Sequence, residues 1–233
     1  MSELPEIPEM GDYEYGFRDD AEILFSTGKG LSEDVVRTIS EQKNEPQWMM
    51  DFRMESYKKF QEKDLPTWGA DLSGIDFDDY TYYLRASEKS ARTWDDVPEK
   101  IKETFERLGI PEAERAYLAG TTVQYESEAV YSRLKAHGDE LGIIFTDTDT
   151  ALREYPELFK EHFGTVVKNG ENFQTALNGA CWSGGTFIYV PKGVKTDLPL
   201  QTYFRMNNAG AAQFERTLII VDEGASIHYV EGC

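Results

Sequence analysis

The sequence predicts an α+β protein in which a mainly helical N-terminal domain leads into a β-helix. Three observations carry this. In the last third, short β-branched and aromatic runs (Thr186 to Val190, Leu200 to Met206, Phe214 to Val221, Ser226 to Glu231) alternate with Pro, Gly and Asp/Asn turns, the composition of successive strands. The segment Ile188-Tyr-Val-Pro-Lys-Gly193-Val returns 31 positions later as Ile219-Ile-Val-Asp-Glu-Gly224-Ala, and a β unit recurring at such a period marks a solenoid. Two ordinary hairpins sharing turn chemistry are the other reading of this repeat. Upstream, apolar residues recur mostly at helical spacing.

Residues 1–30 mix Pro, Gly, Asp and aromatics without a period and read as an extended arm. The helical domain spans 31–165. Its first helix begins at Ser32, whose hydroxyl can cap the first turn, with Glu33 and Asp34 placed favourably for the helix dipole. A second follows Pro46, with Met49, Phe52, Ser56 or Tyr57, and Phe60 on its buried face. Tyr80-Thr-Tyr-Tyr-Leu reads as one short strand. Pro98 opens a helix with Ile101, Phe105 and Leu108 on one side, stopped by Gly109 and Pro111. Further helices are expected over Glu112–Leu118 and Ser127–Leu141. Ile143-Ile-Phe reads as a buried strand, and a last helical stretch, capped by Thr148 or Asp149, is renewed at Pro156 and closed by Gly164. Residues 166–233 then start the β-helix core.

The 233 residues carry 43 acidic against 24 basic side chains, a net charge of −19. This argues against nucleic acid or an anionic membrane surface as a partner, since both need clustered Lys and Arg. Two cysteines do not make a disulfide framework, so a reducing, cytoplasmic setting is expected. No apolar run approaches a membrane span, and the acidic, proline-broken Met1-Ser-Glu-Leu-Pro-Glu-Ile-Pro-Glu does not read as a signal or transit peptide.

The leading chemical candidate is Cys233 in Glu231-Gly-Cys. A cysteine just after a strand, preceded by glycine, can present its sulfur to a bulky partner, and its reactivity depends on nearby cations. Arg205 is the cation expected near it. On Tyr203-Phe-Arg-Met-Asn207 the alternation of a strand puts 203, 205 and 207 on one side, so Arg205 and Asn207 either both face water or both face inward. A solvated strand edge with an inert, packed Cys233 accounts for the same residues. His228 fits a surface or structural histidine better than a base for Cys233. Glu215 and Glu231 fit solvent-facing strand positions better than iron ligands. Cys181 in Gly179-Ala-Cys-Trp fits a small packed side chain beside Trp182, since the rest of a cysteine-protease pattern is missing. Ser26-Thr-Gly-Lys-Gly30 lacks the residues of a phosphate loop, and Asp147-Thr-Asp-Thr lacks those of a calcium loop.

The blocks Ser183-Gly-Gly-Thr-Phe-Ile-Tyr-Val-Pro-Lys-Gly-Val, Tyr203-Phe-Arg-Met-Asn207, Gln213-Phe-Glu-Arg-Thr-Leu-Ile-Ile-Val-Asp-Glu-Gly224 and Tyr229-Val-Glu-Gly-Cys233 closely resemble the SufB subunits of the bacterial Suf iron–sulfur cluster scaffold. Asn44-Glu-Pro-Gln-Trp-Met, Leu108-Gly-Ile-Pro-Glu-Ala and Gln124-Tyr-Glu-Ser-Glu extend the resemblance over nearly the whole chain. It implies a right-handed parallel β-helix, of which this chain holds the opening rungs, in a protein roughly double this length. It implies a scaffold rather than an enzyme. Cys233 would accept sulfur delivered as persulfide by a cysteine desulfurase and its carrier, and Arg205 and Asn207 would line the interior path along which sulfur moves. The partners implied are a SufC-like ATPase subunit and a SufD-like paralogous subunit. An iron–sulfur cluster would be assembled transiently by the full-length complex, and none is expected on these residues alone, which contain no CxxC or Cys/His ligand set. The cysteine cluster that some members carry in the helical region is missing between Tyr83 and Pro98. A SufD-like structural module with the same fold and no sulfur chemistry is the alternative.

Overall fold

A computed structural model describes residues 21–87, 91, 93–110, 118–134 and 136–232. Helix α1 (Glu33–Gln42) starts where expected: Ser32 Oγ accepts from the Val35 amide at 3.2 Å, with Glu33 and Asp34 in the first turn. Helix α2 (Gln47–Glu62) follows Pro46 and buries Met49, Arg53 and Ser56. Arg53 breaks the apolar pattern because it is fully compensated. Its guanidinium makes two 2.7 Å bonds to the Glu45 carboxylate, donates to the Ala180 carbonyl at 3.2 Å and lies 4.7 Å over the Trp182 ring. Those contacts tie α2 to the C-terminal end of helix α7 (Phe173–Cys181), which lies directly ahead of the last four strands. Helix α3 (Glu99–Arg107) buries Ile101, Thr104 and Phe105.

Two expectations are corrected. The helix foreseen over Ser127–Leu141 is a strand for its first half. Strand β3 (Gly120–Tyr125) turns at Glu126 and Ser127 into antiparallel β4 (Glu128–Leu134), and only Ala136–Glu140 (α4) is helical. Ala129, Val130 and Tyr131 are buried in the sheet, and this long-range burial overrides the local helical spacing. The extended run foreseen at Tyr80 to Leu84 shrinks to β2 (Leu84–Arg85), paired antiparallel with β1 (Phe25–Ser26). The helix expected over Glu112–Leu118 lies, save Leu118, outside the described residues. Strand β5 (Ile144–Asp147) runs into helix α5 (Thr148–Glu154), capped one residue earlier than expected: Asp147 accepts from the Thr150 amide at 2.8 Å. Helix α6 (Pro156–His162) follows, and Gly164 has a positive φ.

The remaining strands are β6 (Thr186–Val190), β7 (Leu200–Arg205), β8 (Leu218–Val221) and β9 (Tyr229–Gly232). One sheet has the order β4-β3-β7-β9 and the other β5-β6-β8. Pairs β3–β7, β7–β9 and β6–β8 are parallel, whereas β3–β4 and β5–β6 are antiparallel. From β6 onward the chain visits the two sheets alternately. The 31-residue spacing reappears as register, with Ile188 opposite Ile219 and Lys195 bridged to Ser226. Between the sheets lie Ile143, Phe145, Ile188, Val190 and Leu200, all buried, and the Thr186 and Thr202 hydroxyls meet at 2.7 Å. The fold is an N-terminal helical region followed by mixed β-sheets. Among the described residues, no helix is long and apolar enough to cross a membrane.

Three segments converge on Gly184 and Gly185 at the entry to β6. The Gly185 amide donates to Gln124 Oε1 on β3 at 2.8 Å, and Thr148, at the start of α5, donates its hydroxyl to the Gly184 carbonyl at 2.8 Å. The Arg216 amide, ahead of β8, reaches the same carbonyl at 3.3 Å. Gly185 has φ +106°, and a Cβ there would stand 2.1 Å from the Arg216 carbonyl oxygen. Gly185→Ala combines a forbidden backbone with a backbone clash and is expected to cost about 3 kcal/mol or more. Gly193→Ala, with φ +74° and open space around it, is expected to cost roughly 1 to 2 kcal/mol, the left-handed penalty alone. Urea unfolding of the two variants side by side tests the difference.

Candidate functional site

Strand β7 ends at Arg205, and its pairing with β3 sets which way each residue faces. Val123 is opposite Tyr203 and Tyr125 opposite Arg205. Val123 and Tyr125 pack with Ile101 and Phe105 of α3, and Tyr203 packs against the same cluster. Arg205 therefore shares the α3 side of the sheet, while Leu200 and Thr202 face the space between the sheets. Asn207 lies beyond the strand end and is buried at 8% exposure.

What brings Arg205 and Asn207 together is Glu126, which the sequence reading did not single out as a site residue. In the β3–β4 turn Glu126 adopts φ 55°, and its amide donates to the Arg205 carbonyl at 2.9 Å. Its Oε1 accepts from the Asn207 amide at 3.0 Å, the Asn208 amide at 2.9 Å and Asn208 Nδ2 at 2.7 Å. A buried carboxylate that collects three donors fixes the backbone after β7 as a turn of stated shape. The only sequence signal was the Gln124-Tyr-Glu-Ser-Glu block, in which no local pattern links Glu126 to a loop some eighty residues on.

Cys233 lies outside the described residues. The strand that leads to it is set in register, with Leu200 opposite Tyr229 and Tyr203 opposite Gly232. Glu231 is exposed, and its Oε1 accepts from Thr217 at 2.6 Å and from the Tyr229 hydroxyl at 2.8 Å. The Tyr229 hydroxyl also reaches Thr186 at 3.0 Å, so this group links the two sheets. Burial, with Glu231 adding, raises Glu215 above the usual carboxylate range. His228 is exposed. Cys181 is buried, donates its thiol to the Leu177 carbonyl at 3.1 Å, and is pushed by burial well above the usual thiol range despite Arg53 nearby. It is a packed core residue. Among the described residues, no group of three or more His, Cys, Asp or Glu side chains is arranged to hold a metal ion.

Glu126→Ala leaves two backbone amides and an asparagine side chain without their acceptor, at an expected cost of roughly 3 kcal/mol. Glu126→Gln keeps an acceptor oxygen and is expected to cost about 1 kcal/mol. Urea unfolding gives the magnitudes. Hydrogen exchange at the Asn207 and Asn208 amides gives the location, with faster exchange in the alanine variant expected there first.

The SufBD protein N-terminal region model matches residues 117–202, which contain β3 to β6 and the start of β7. An iron–sulfur cluster assembly SufBD family protein of Staphylococcus aureus (strain USA300) is 58% identical over 226 residues, covering 97% of this chain and 49% of the relative. The corresponding proteins of S. aureus strain NCTC 8325 and of Staphylococcus haemolyticus (strain JCSC1435) give the same identity and coverage. The chain spans about half the length of these relatives. The aligned region runs through the helical region and both sheets alike, and the chain belongs to the SufBD iron–sulfur cluster assembly family.

Proposed function

We propose that this chain is the N-terminal part of a SufB-type scaffold subunit that receives sulfur at Cys233 and helps to build an iron–sulfur cluster, its cargo. The observation that carries this reading is the 58% identity, over 97% of the chain, to proteins named for iron–sulfur cluster assembly. The strand pairing supports it. We read the alternation of β6, β7, β8 and β9 between two sheets as the opening rungs of a right-handed parallel β-helix. Ile219 and Val221 stand beside the buried Ile188 and Val190 yet are 40% and 42% exposed, which fits a further rung laid against β8 and β9 in the complete protein.

In this reading the Cys233 thiolate attacks the outer sulfur of a persulfide carried by a cysteine desulfurase or its sulfur carrier. The S–S bond of the donor breaks, the donor thiolate leaves, and Cys233 holds the persulfide with no net oxidation. Arg205 stabilises anionic sulfur and Asn207 donates a hydrogen bond along its path. A SufC-like ATPase subunit and a SufD-like subunit complete the assembly in the cytoplasm. A second reading, a SufD-like structural module, is favoured by one observation: Arg205 is on the α3 side of β7, away from the space between the sheets.

One experiment separates the two. The complete protein is incubated with a cysteine desulfurase and cysteine, and its peptides are weighed under non-reducing conditions. One added sulfur atom on the Cys233 peptide and none on Cys181 is the expected result. An unmodified Cys233 removes the acceptor role and leaves the structural module.

A further inference from the structure

Under the C-terminal end of α1 lies a charged site that sulfur handling does not use. Lys43 follows α1 with its side chain 1% exposed and reaches two carboxylates from different elements. Its Nζ is 3.0 Å from Glu128 Oε1 on β4 and 2.6 Å from Asp149 Oδ2 in the first turn of α5. The Tyr83 hydroxyl, just ahead of β2, donates to the same Glu128 oxygen at 2.6 Å. A cavity of ≈ 460 Å³ adjoins the cluster, with Arg85, Asp147, Arg153 and Glu154 also on its wall.

The charges inside do not balance. Glu128 and Asp149, with side chains 17% and 10% exposed, face one ammonium. Asp147 adds a third carboxyl, which burial and Asp149 raise above the usual carboxylate range, and Arg153 favours the Asp147 and Asp149 anions. Asp147 caps α5 through Thr150, Arg153 donates to the Thr150 hydroxyl at 3.2 Å, and the Arg85 guanidinium lies 6.0 Å from the Phe25 ring centroid. Asp149 is 8% exposed. Its Oδ1 is buried and has no hydrogen-bond donor among the described residues. A proton on Glu128 answers both problems, since it removes the surplus negative charge and supplies Asp149 with a donor.

We propose that Glu128 and Asp149 share one proton beneath Lys43, and that losing this proton unlatches the end of α1 from β4 and α5. The group that changes charge is Glu128. Burial raises it to about 7, Lys43 opposing and Asp149 adding to the shift. Burial also disfavours the Asp149 anion, but Lys43 overcomes this and holds Asp149 below the usual carboxylate range. Lys43 pays for burial through Asp149 and Glu128, which keep it protonated far above neutrality.

The latched state keeps a proton that the open state has lost between pH 4.5, the ordinary value for this carboxyl, and about 7. The latch therefore weakens as pH rises through that window and levels off above it. It stands independently of the sulfur reading. A purely structural ion cluster would not give this pH profile.

The test is carried out on the complete protein with carboxyl-labelled glutamate. Titration by carbon NMR is expected to give Glu128 a midpoint near 7. Hydrogen exchange at the Lys43 and Asn44 amides, which bond back to Ile39 and Glu41, is expected to quicken roughly tenfold from pH 6 to pH 8 beyond the intrinsic rate change, because one linked proton gives at most about tenfold per pH unit and the window closes near 7. Glu128→Gln preserves an acceptor for Lys43 and Tyr83 and a donor for Asp149, and is expected to abolish that tenfold change. A Glu128 midpoint in the ordinary carboxylate range overturns the proposal, as does a tenfold change that survives in Glu128→Gln. Should that variant not fold, the titration of the unaltered protein decides alone.

Discussion

The close approach at Gly184 and Gly185 is the constraint on which the rest of the structure depends. Gln124 from β3, Thr148 from α5 and Arg216 from the lead into β8 all bond to this dipeptide. The two sheets, the helical layer and the next strand of the ladder are thereby positioned from one point. Side chains would push these segments apart, because an ideal Cβ on Gly184 would lie 2.2 Å from Gln124 and one on Gly185 would lie 2.1 Å from backbone. Glycine here sets the distance between layers, and that distance lets the Thr186 and Thr202 hydroxyls meet across the sheets.

Much of the fold was legible because much of it is local. The cap at Ser32, the proline before α2, the break at Gly164 and the β-branched run of β6 are each written in a few neighbouring residues. The 31-residue repeat was legible as a pattern, and the strand register follows it. What failed was what only distant contacts decide. Residues 128–134 carry apolar side chains at a spacing that also suits a helix, and become β4 because β3 offers them a partner. The candidate site was less legible still. The strand alternation for β7 was sound, but the strand stops at Arg205, so Asn207 is oriented by Glu126 and not by the pleat.

Charge burial follows one rule in two places. Arg53 is wholly buried because Glu45, the Ala180 carbonyl and the face of Trp182 leave it satisfied and paired. Lys43 is buried just as deeply, but with two carboxylates for one ammonium. The first arrangement is neutral by composition, whereas the second needs a proton to become so. A chain of net charge −19 thus spends its few interior cations on seating helices against the sheets.

The order in which strands find partners has a consequence for biosynthesis. Strand β6 pairs with β5, β7 with β3, β8 with β6 and β9 with β7, so each strand from β6 onward is laid against one made earlier. A chain leaving the ribosome N-terminus first always has its template in place. From β6 onward no strand has to wait for its first partner to be translated, whereas β1 waits for β2 and β5 for β6. Translation and sheet growth can therefore advance together, one strand at a time.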